Sequence, residues 1–435
     1  MSIQIKKVDC QFEREYLIRP FGFKGGYTNC NWQVIASMET DDGIQGLGLG
    51  TQGILWSDPR VFASTSDSGG NCLMFAITAY ALKILRRQSF DNPMDLQDQI
   101  FNDVYEYAKK ITGQPDLNET FVLNALVPVD NAAWVVYARK NGIDNFDDMI
   151  PTEYRETFSH RHDKVASIPL ATYGLTLDDI RKLVEKDGYF ILKFKLGSPG
   201  SQQEMLDNDK ARIEEIHRAI GEINVSYTHK GKIPYYFDAN GRYESKETLM
   251  KLLDHTRKIG AFDQIMIMEE PFPEDYKVDV GDLGVSVAAD ESAHTVQNVE
   301  ERIDLGYNAI ALKAIAKTLS TTIKMAHTAH IHSTPCFCAD LTVNPVLVDW
   351  NKNVAARLAP MPGFDIGLLE TNGHQNYKNW EQMKSYHPMA EASWIHSRNG
   401  VFTLDEGFYK NSGGIFEEMP HYKSVLENSG DDASR

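Results

Sequence analysis

Cysteine is scarce and unpatterned in this chain. Cys10, Cys30, Cys72, Cys336 and Cys338 are odd in number and scattered over 435 residues. A disulfide framework is therefore not expected, and a reducing compartment fits better. No run of 18 or more consecutive apolar residues occurs, so no membrane span is expected. The opening Met-Ser-Ile-Gln-Ile-Lys-Lys lacks a basic segment followed by an apolar run. No secretory signal is expected there, and the reading is cytoplasmic. Positive charge is also short: 44 Lys and Arg face 61 Asp and Glu, a formal net charge of -17. That balance argues against nucleic acid or an anionic membrane as partner. It also sets a condition, because an anionic small molecule would meet a repulsive field unless its site created local positive charge.

What is present is ample core material, with 42% hydrophobic residues. The length suits a barrel of roughly 200–250 residues plus a second domain. Residues 32–39 form a β-rich run, Asp41-Asp42-Gly43 is a turn signal, and 44–49 alternates with glycine. Gly46-x-Gly48-x-Gly50 is not a phosphate loop, since no Lys-Ser/Thr follows it. Residues 51–70, rich in Ser, Asp, Gly and Thr, read as a mobile loop, and 71–143 are helical in pattern. From about Val165 short apolar strands alternate with amphipathic helices. The strands fall at 167–173, 190–196, 235–238, 266–269, 286–289, 309–313, 334–338 and 367–371. The first helix between them carries a capping signal, Thr176 with Asp179 three residues on. Eight such strands predict an α/β fold, a (β/α) barrel of the TIM type with an N-terminal α+β capping domain. The expected division is 1–150 for the cap, 151–376 for the barrel, and 377–435 returning to the cap.

The polar residues at the strand ends carry the chemistry. Lys193 and Lys195 close strand two and share one face, because alternate residues of a strand point the same way. Interior lysines need paired charge. Strand three ends with Asp238 and Asn240, strand four with Glu269-Glu270-Pro271, strand five with Asp290-Glu291-Ser292, and strand six with Lys313. The C-terminal strand ends of such a barrel converge on one site. Asp238, Glu269 and Asp290 then form an all-oxygen set suited to one Mg²⁺, with Mn²⁺ as the alternative. Lys195 and Lys313 flank it from opposite sides.

This ordered set resembles the enolase superfamily, in its muconate-lactonizing-enzyme-like branch (the mandelate racemase/muconate lactonizing enzyme family). The resemblance extends to Phe23-Lys24-Gly25-Gly26 and to the run from Pro128 to Trp134. It implies that Asp238, Glu269 and Asp290 are metal ligands, that Lys195 and Lys313 are the acid/base pair, and that Lys193 assists Lys195 and the substrate carboxylate. The implied reaction removes a proton α to a carboxylate through an enediolate, as in a racemase, epimerase or cycloisomerase. A dehydratase of a hydroxy or sugar acid is the alternative. A barrel glycosidase using Glu269 and Asp290 would leave the lysines unexplained.

Three features depart from the family pattern. The segment 224–233 looks like an extension, Lys313 is followed by Ala314-Ile315-Ala316-Lys317 where paired glycines are common, and strand eight ends Glu370-Thr371-Asn372 instead of with paired aspartates. Asn240, Glu270, Glu291, Asp340, Glu370, Phe23 and Trp56 are candidate substrate contacts. Cys336 and Cys338 read as core, and His327, His330 and His332 as a solvated helix face. The expected partners are a small carboxylic acid and further copies of the chain as a homo-oligomer, with no nucleic acid and no membrane.

Overall fold

The computed structural model describes residues 2–23, 26–86 and 88–432. Lys24 and Gly25, part of the segment 23–26 singled out above, lie outside the described residues. The chain opens with a long antiparallel hairpin of β1 (Ile3–Phe23) and β2 (Gly26–Thr40). β3 (Gln45–Thr51) pairs with β2, and β4 (Ser89–Phe90) pairs with β1. Five helices accompany this sheet: α1 (Ile54–Ser57), α2 (Pro59–Thr65), α3 (Asp67–Leu85), α4 (Pro93–Thr112) and α5 (Glu119–Lys140). α3 and α5 are long and apolar enough to cross a bilayer, but α5 is almost wholly buried within the protein.

The expected mobile loop at 51–70 is corrected by this structure: the segment contains α1, α2 and the start of α3. Its small polar residues are helix caps. Asp58 accepts the Arg60 N–H with Pro59 in the first turn, and Ser66 accepts the Gly69 N–H. Caps and loops draw on the same residue types, because both need side-chain oxygens for backbone donors. The alternating glycines have an equally local cause. A Cβ on Gly48 would lie 2.1 Å from the Pro128 carbonyl oxygen, and one on Gly46 2.5 Å from that of Ala132. The bare face of β3 therefore lets α5 pack directly against the backbone.

The second sheet is the barrel, and its strands are β5 (Lys164–Ile168), β6 (Leu170–Ala171), β7 (Leu192–Lys195), β8 (Tyr235–Asp238), β9 (Ile265–Glu269), β10 (Val287–Ala289), β11 (Ala309–Leu312), β12 (Cys336–Cys338) and β13 (Gly367–Glu370). All neighbouring pairs among them are parallel. β5 and β6 are one strand interrupted at Pro169, which has no N–H to donate. β5 pairs with β13 and β6 with β7, so the sheet closes on itself with eight strand positions. A last strand, β14 (Val401–Thr403), runs antiparallel along β5.

Side chains alternate between two environments. Ile168, Tyr236, Ile267, Ala288, Ala311, Phe337 and Leu368 fill the barrel interior, while Leu192, Phe237, Met268, Ala289, Leu312, Cys338 and Leu369 face the surrounding helices. The cap has its own core. Cys336 and Cys338 are buried in the strand–helix layer. His330 and His332 are exposed, whereas His327 is half-buried against Tyr154 and Thr157. The 224–233 extension folds back on itself through an Asn224–Lys232 bridge. Since it precedes β8, it sits at the N-terminal end of the barrel, remote from the C-terminal strand ends. Beyond Asn376, Lys378 donates its N–H to Tyr16 O, and His421 Nε2 lies 2.9 Å from Glu13 Oε2 on β1.

Candidate active site

The interior alternation continues past each strand end, so the next inward positions are the polar ones. Two residues beyond Tyr236, Ile267, Ala288, Ala311 and Leu368 stand Asp238, Glu269, Asp290, Lys313 and Glu370, all nearly inaccessible. Lys193 is equally buried one strand away. Register ties two of them to Lys195: Lys195 pairs with Asp238, and Asp238 with Glu269.

Lysines and carboxylates interleave. Lys193 Nζ lies 2.9 Å from Asp238 Oδ2, 2.8 Å from Glu269 Oε1 and 3.1 Å from Glu370 Oε2. Lys195 Nζ donates to Asp238 Oδ2 at 2.6 Å and to Asn240 Oδ1 at 2.7 Å. Lys313 Nζ donates to Asp290 Oδ2. Among the described residues no three His, Cys, Asp or Glu side chains are grouped as a metal cage. Ammonium groups lie between Asp238, Glu269 and Asp290 instead, which relieves the repulsion of like charges. The donor chemistry of these three carboxylates, oxygen only and on adjacent strand ends, still fits a hard divalent cation.

The electrostatics follow this interleaving. Burial pushes Asp238 up, but Lys193 and Lys195 hold it well below the usual carboxylate range. Asp290 is likewise held down against burial, by Lys313 and Lys317. Glu269 is pushed well up by burial and by its neighbours Asp238 and Asp290. Burial works against the charge of Lys193 and Lys313, yet the adjacent carboxylates outweigh it and keep both ammonium groups above their ordinary value.

The remaining candidates divide into two groups. Asn240, Glu291, Asp340, Glu370, Phe23 and Trp56 all line one cavity, partly open to solvent, together with the three lysines, Asp238 and Asp290. The Phe23 ring centroid is 5.3 Å from Lys195 Nζ and the Trp56 ring centroid 4.7 Å from Lys313 Nζ, so cap residues lie over both lysines. Asp340 Oδ2 accepts the Asn372 N–H at 2.8 Å, and burial and Glu370 raise its pKa to about 7. Glu270 does not line the cavity. It turns away to accept from the Asp290 and Ser292 N–H groups and the Ser292 hydroxyl, and burial and Glu291 raise its pKa to about 8. These bonds tie the end of β9 to the turn after β10.

Two residues escaped the sequence reading. Tyr236, inside the barrel, donates its hydroxyl to Glu269 Oε2. Lys317 has no exposed surface, and its Nζ reaches Asp290 O at 2.6 Å, Asp290 Oδ1 at 3.0 Å and Ala293 O at 2.9 Å. Each had a signal available: Tyr236 is two residues before Asp238 on one strand face, and Lys317 is one helical turn after Lys313.

Fold and site together define a capped parallel barrel with lysines and carboxylates gathered at the C-terminal strand ends. Residues 176–384 match the family described as enolase C-terminal domain-like. No curated protein is significantly similar in sequence. Among solved structures, a mandelate racemase/muconate lactonizing protein from Herpetosiphon aurantiacus is 16% identical and covers 92% of this chain and 96% of its own, at a TM-score of 0.64. A dipeptide epimerase from Enterococcus faecalis V583, complexed with Mg and L-Leu-L-Tyr, is 18% identical over 86% of this chain and 92% of its own, with a TM-score of 0.61. An N-succinyl Arg/Lys racemase from Bacillus cereus is 17% identical over 87% and 89%, with a TM-score of 0.59. Identities this low speak for the shared fold.

Proposed function

We propose that this protein is an isomerase that removes the proton α to a substrate carboxylate and returns it, as a racemase, epimerase or cycloisomerase does. The observation that carries the reading is the opposed pair of lysines. β7 and β11 are four positions apart in an eight-position barrel, so Lys195 and Lys313 approach its mouth from opposite sides. The carboxylates of β8, β9 and β10 lie along the arc between them. A planar intermediate held there presents one face to each lysine. The epimerase and racemase among the structural neighbours support an isomerase, and the Mg in the Enterococcus structure supports the metal.

In this reading Asp238, Glu269 and Asp290 hold Mg²⁺. The ion supplies positive charge that stabilises the developing negative charge of the substrate and lowers the affinity of the nearby lysines for protons. Lys195 and Lys313 do the proton transfer, one from each face. Lys193, fixed between Asp238, Glu269 and Glu370, keeps a positive charge beside Lys195. Phe23 and Trp56 cover the two lysines and restrict water.

The dehydratase alternative rests on Asp340. A carboxyl group with a pKa near 7 in the same cavity could give a proton to a departing hydroxyl. The test is to incubate the protein with Mg²⁺ and a panel of α-substituted carboxylic acids in D₂O. Isomerase action gives α-deuteration without loss of water, and EDTA abolishes it. A 2-keto acid product decides for dehydration. Exchange that persists in chelator overturns the metal assignment, and a panel with neither exchange nor keto acid overturns the reaction class.

A further inference from the structure

The cavity over the strand ends has a floor from the barrel and a roof from the cap, and the two differ in charge. The roof includes Phe21, Phe23, Ile54, Leu55 and Trp56, and its single charged residue among those described is Asp67. Asp67 opens α3, where an acid also suits the helix dipole. That preference explains a first-turn acid but not its place on the cavity wall.

Every side chain that partners Asp67 is neutral. Its Oδ2 accepts from Thr28 Oγ1 at 3.0 Å and its Oδ1 from Asn71 Nδ2 at 3.1 Å. No cation pairs with it among the described residues. A half-buried carboxylate without a counter-charge is unfavourable. The same wall also holds an unused donor. Trp56 is 7% exposed, and its indole Nε1 is buried with no acceptor. Both groups point to a ligand that brings a donor cation and an acceptor.

The charges on the described lining agree. Its described lining residues include six acids (Asp67, Asp238, Asp290, Glu291, Asp340 and Glu370) and three lysines (Lys193, Lys195 and Lys313). One divalent cation would leave the lining still acidic, and a substrate carboxylate would add a further negative charge. A positive charge elsewhere on the substrate would offset it.

From this geometry we infer that Asp67 is the specificity-determining residue for a primary ammonium or guanidinium group at the end of the substrate remote from its reacting carboxylate. The substrate class is a cationic carboxylic acid. The inference rests on the proton-transfer reading of the same site.

The test compares N-acetyl-L-lysine with its uncharged counterpart N-acetyl-L-norleucine, using Mg²⁺-supplemented protein. Binding is read by calorimetry and α-proton exchange in D₂O by NMR. The expected result is that the cationic acid binds at least about tenfold more tightly, the worth of one partly buried ion pair. Asp67→Asn should reduce that preference to near unity and leave the neutral acid little changed, with the fold retained by circular dichroism. If Asp67→Asn folds poorly, Asp67→Ser carries the same expectation. Equal binding of the two acids by the unmodified protein, or an undiminished preference in both variants, overturns the inference. Cation preference that depends on Asp67 without any exchange sustains the inference and counts against the isomerase. Equal exchange of both acids does the reverse.

Discussion

A lysine with no exposed surface persists only if its ammonium protons meet acceptors, and Lys317 meets three, two of them on Asp290. Its bond to Oδ1 leaves Oδ2 for Lys313. Removing one partner of a buried pair typically costs about 3–5 kcal/mol. Lys317→Met should therefore lower unfolding stability by that order in a denaturant titration, and a change under about 1 kcal/mol would contradict the pairing. Asp130 presents the opposite case. It is buried against Ser320, and burial raises its pKa from 3.8 to about 6. A carboxyl raised in the folded state binds more protons folded than unfolded between those values, so its contribution to stability falls as pH rises through about 4 to 6 and is flat above. The expected span is about 3 kcal/mol. The stability of the protein minus that of Asp130→Asn, measured from pH 4 to 7, should fall over this window. A flat difference would show that Asp130 is not perturbed.

At the scale of elements, the α5–β3 contact is the most exacting. The Gly48 position leaves 2.1 Å between a notional Cβ and the Pro128 oxygen, so any side chain must force helix and strand apart. Overpacking of this kind costs typically 1–3 kcal/mol, and against backbone atoms the upper end applies. Gly48→Ala should lower the melting temperature clearly, whereas Gly43→Ala, which meets nothing within 4 Å, should lower it only through its backbone conformation at φ 87°. Equal effects would argue against the close approach. The glycine alternation was legible as strand, but its partner helix was not, because spacing within one segment does not reveal what packs upon it. The capped turns at Asp58 and Ser66 look like loop in the sequence for a related reason. The same Ser, Asp and Gly residues serve loops and helix starts, and α1 and α2 are too short to show a 3.6-residue period.

For the whole molecule, the eight strand positions and their order were legible because they are short apolar runs, most of them ending in a polar residue. Their boundaries moved by up to three residues, as with the first strand, expected at 167–173 and found at Lys164–Ile168 and Leu170–Ala171 around Pro169. Strand order brought Lys193, Lys195, Asp238, Glu269, Asp290 and Lys313 to one place, and that followed from barrel geometry applied to the sequence. What sequence could not show was the pairing inside the cluster, since which ammonium meets which carboxylate depends on side-chain reach across strands. Nor could it show that Glu270 turns away while Glu291 lines the cavity. The central claim is that Lys195 and Lys313 serve opposite faces of one planar intermediate. It is tested most directly by following α-proton exchange from each stereoisomer of a turned-over acid in D₂O, for the unmodified protein, Lys195→Ala and Lys313→Ala. Each variant should lose exchange from one stereoisomer by about 10²–10⁴-fold and retain it from the other, with the two variants showing mirror patterns. If neither substitution slows exchange from either stereoisomer, or both abolish the same one alone, the two-lysine account is wrong.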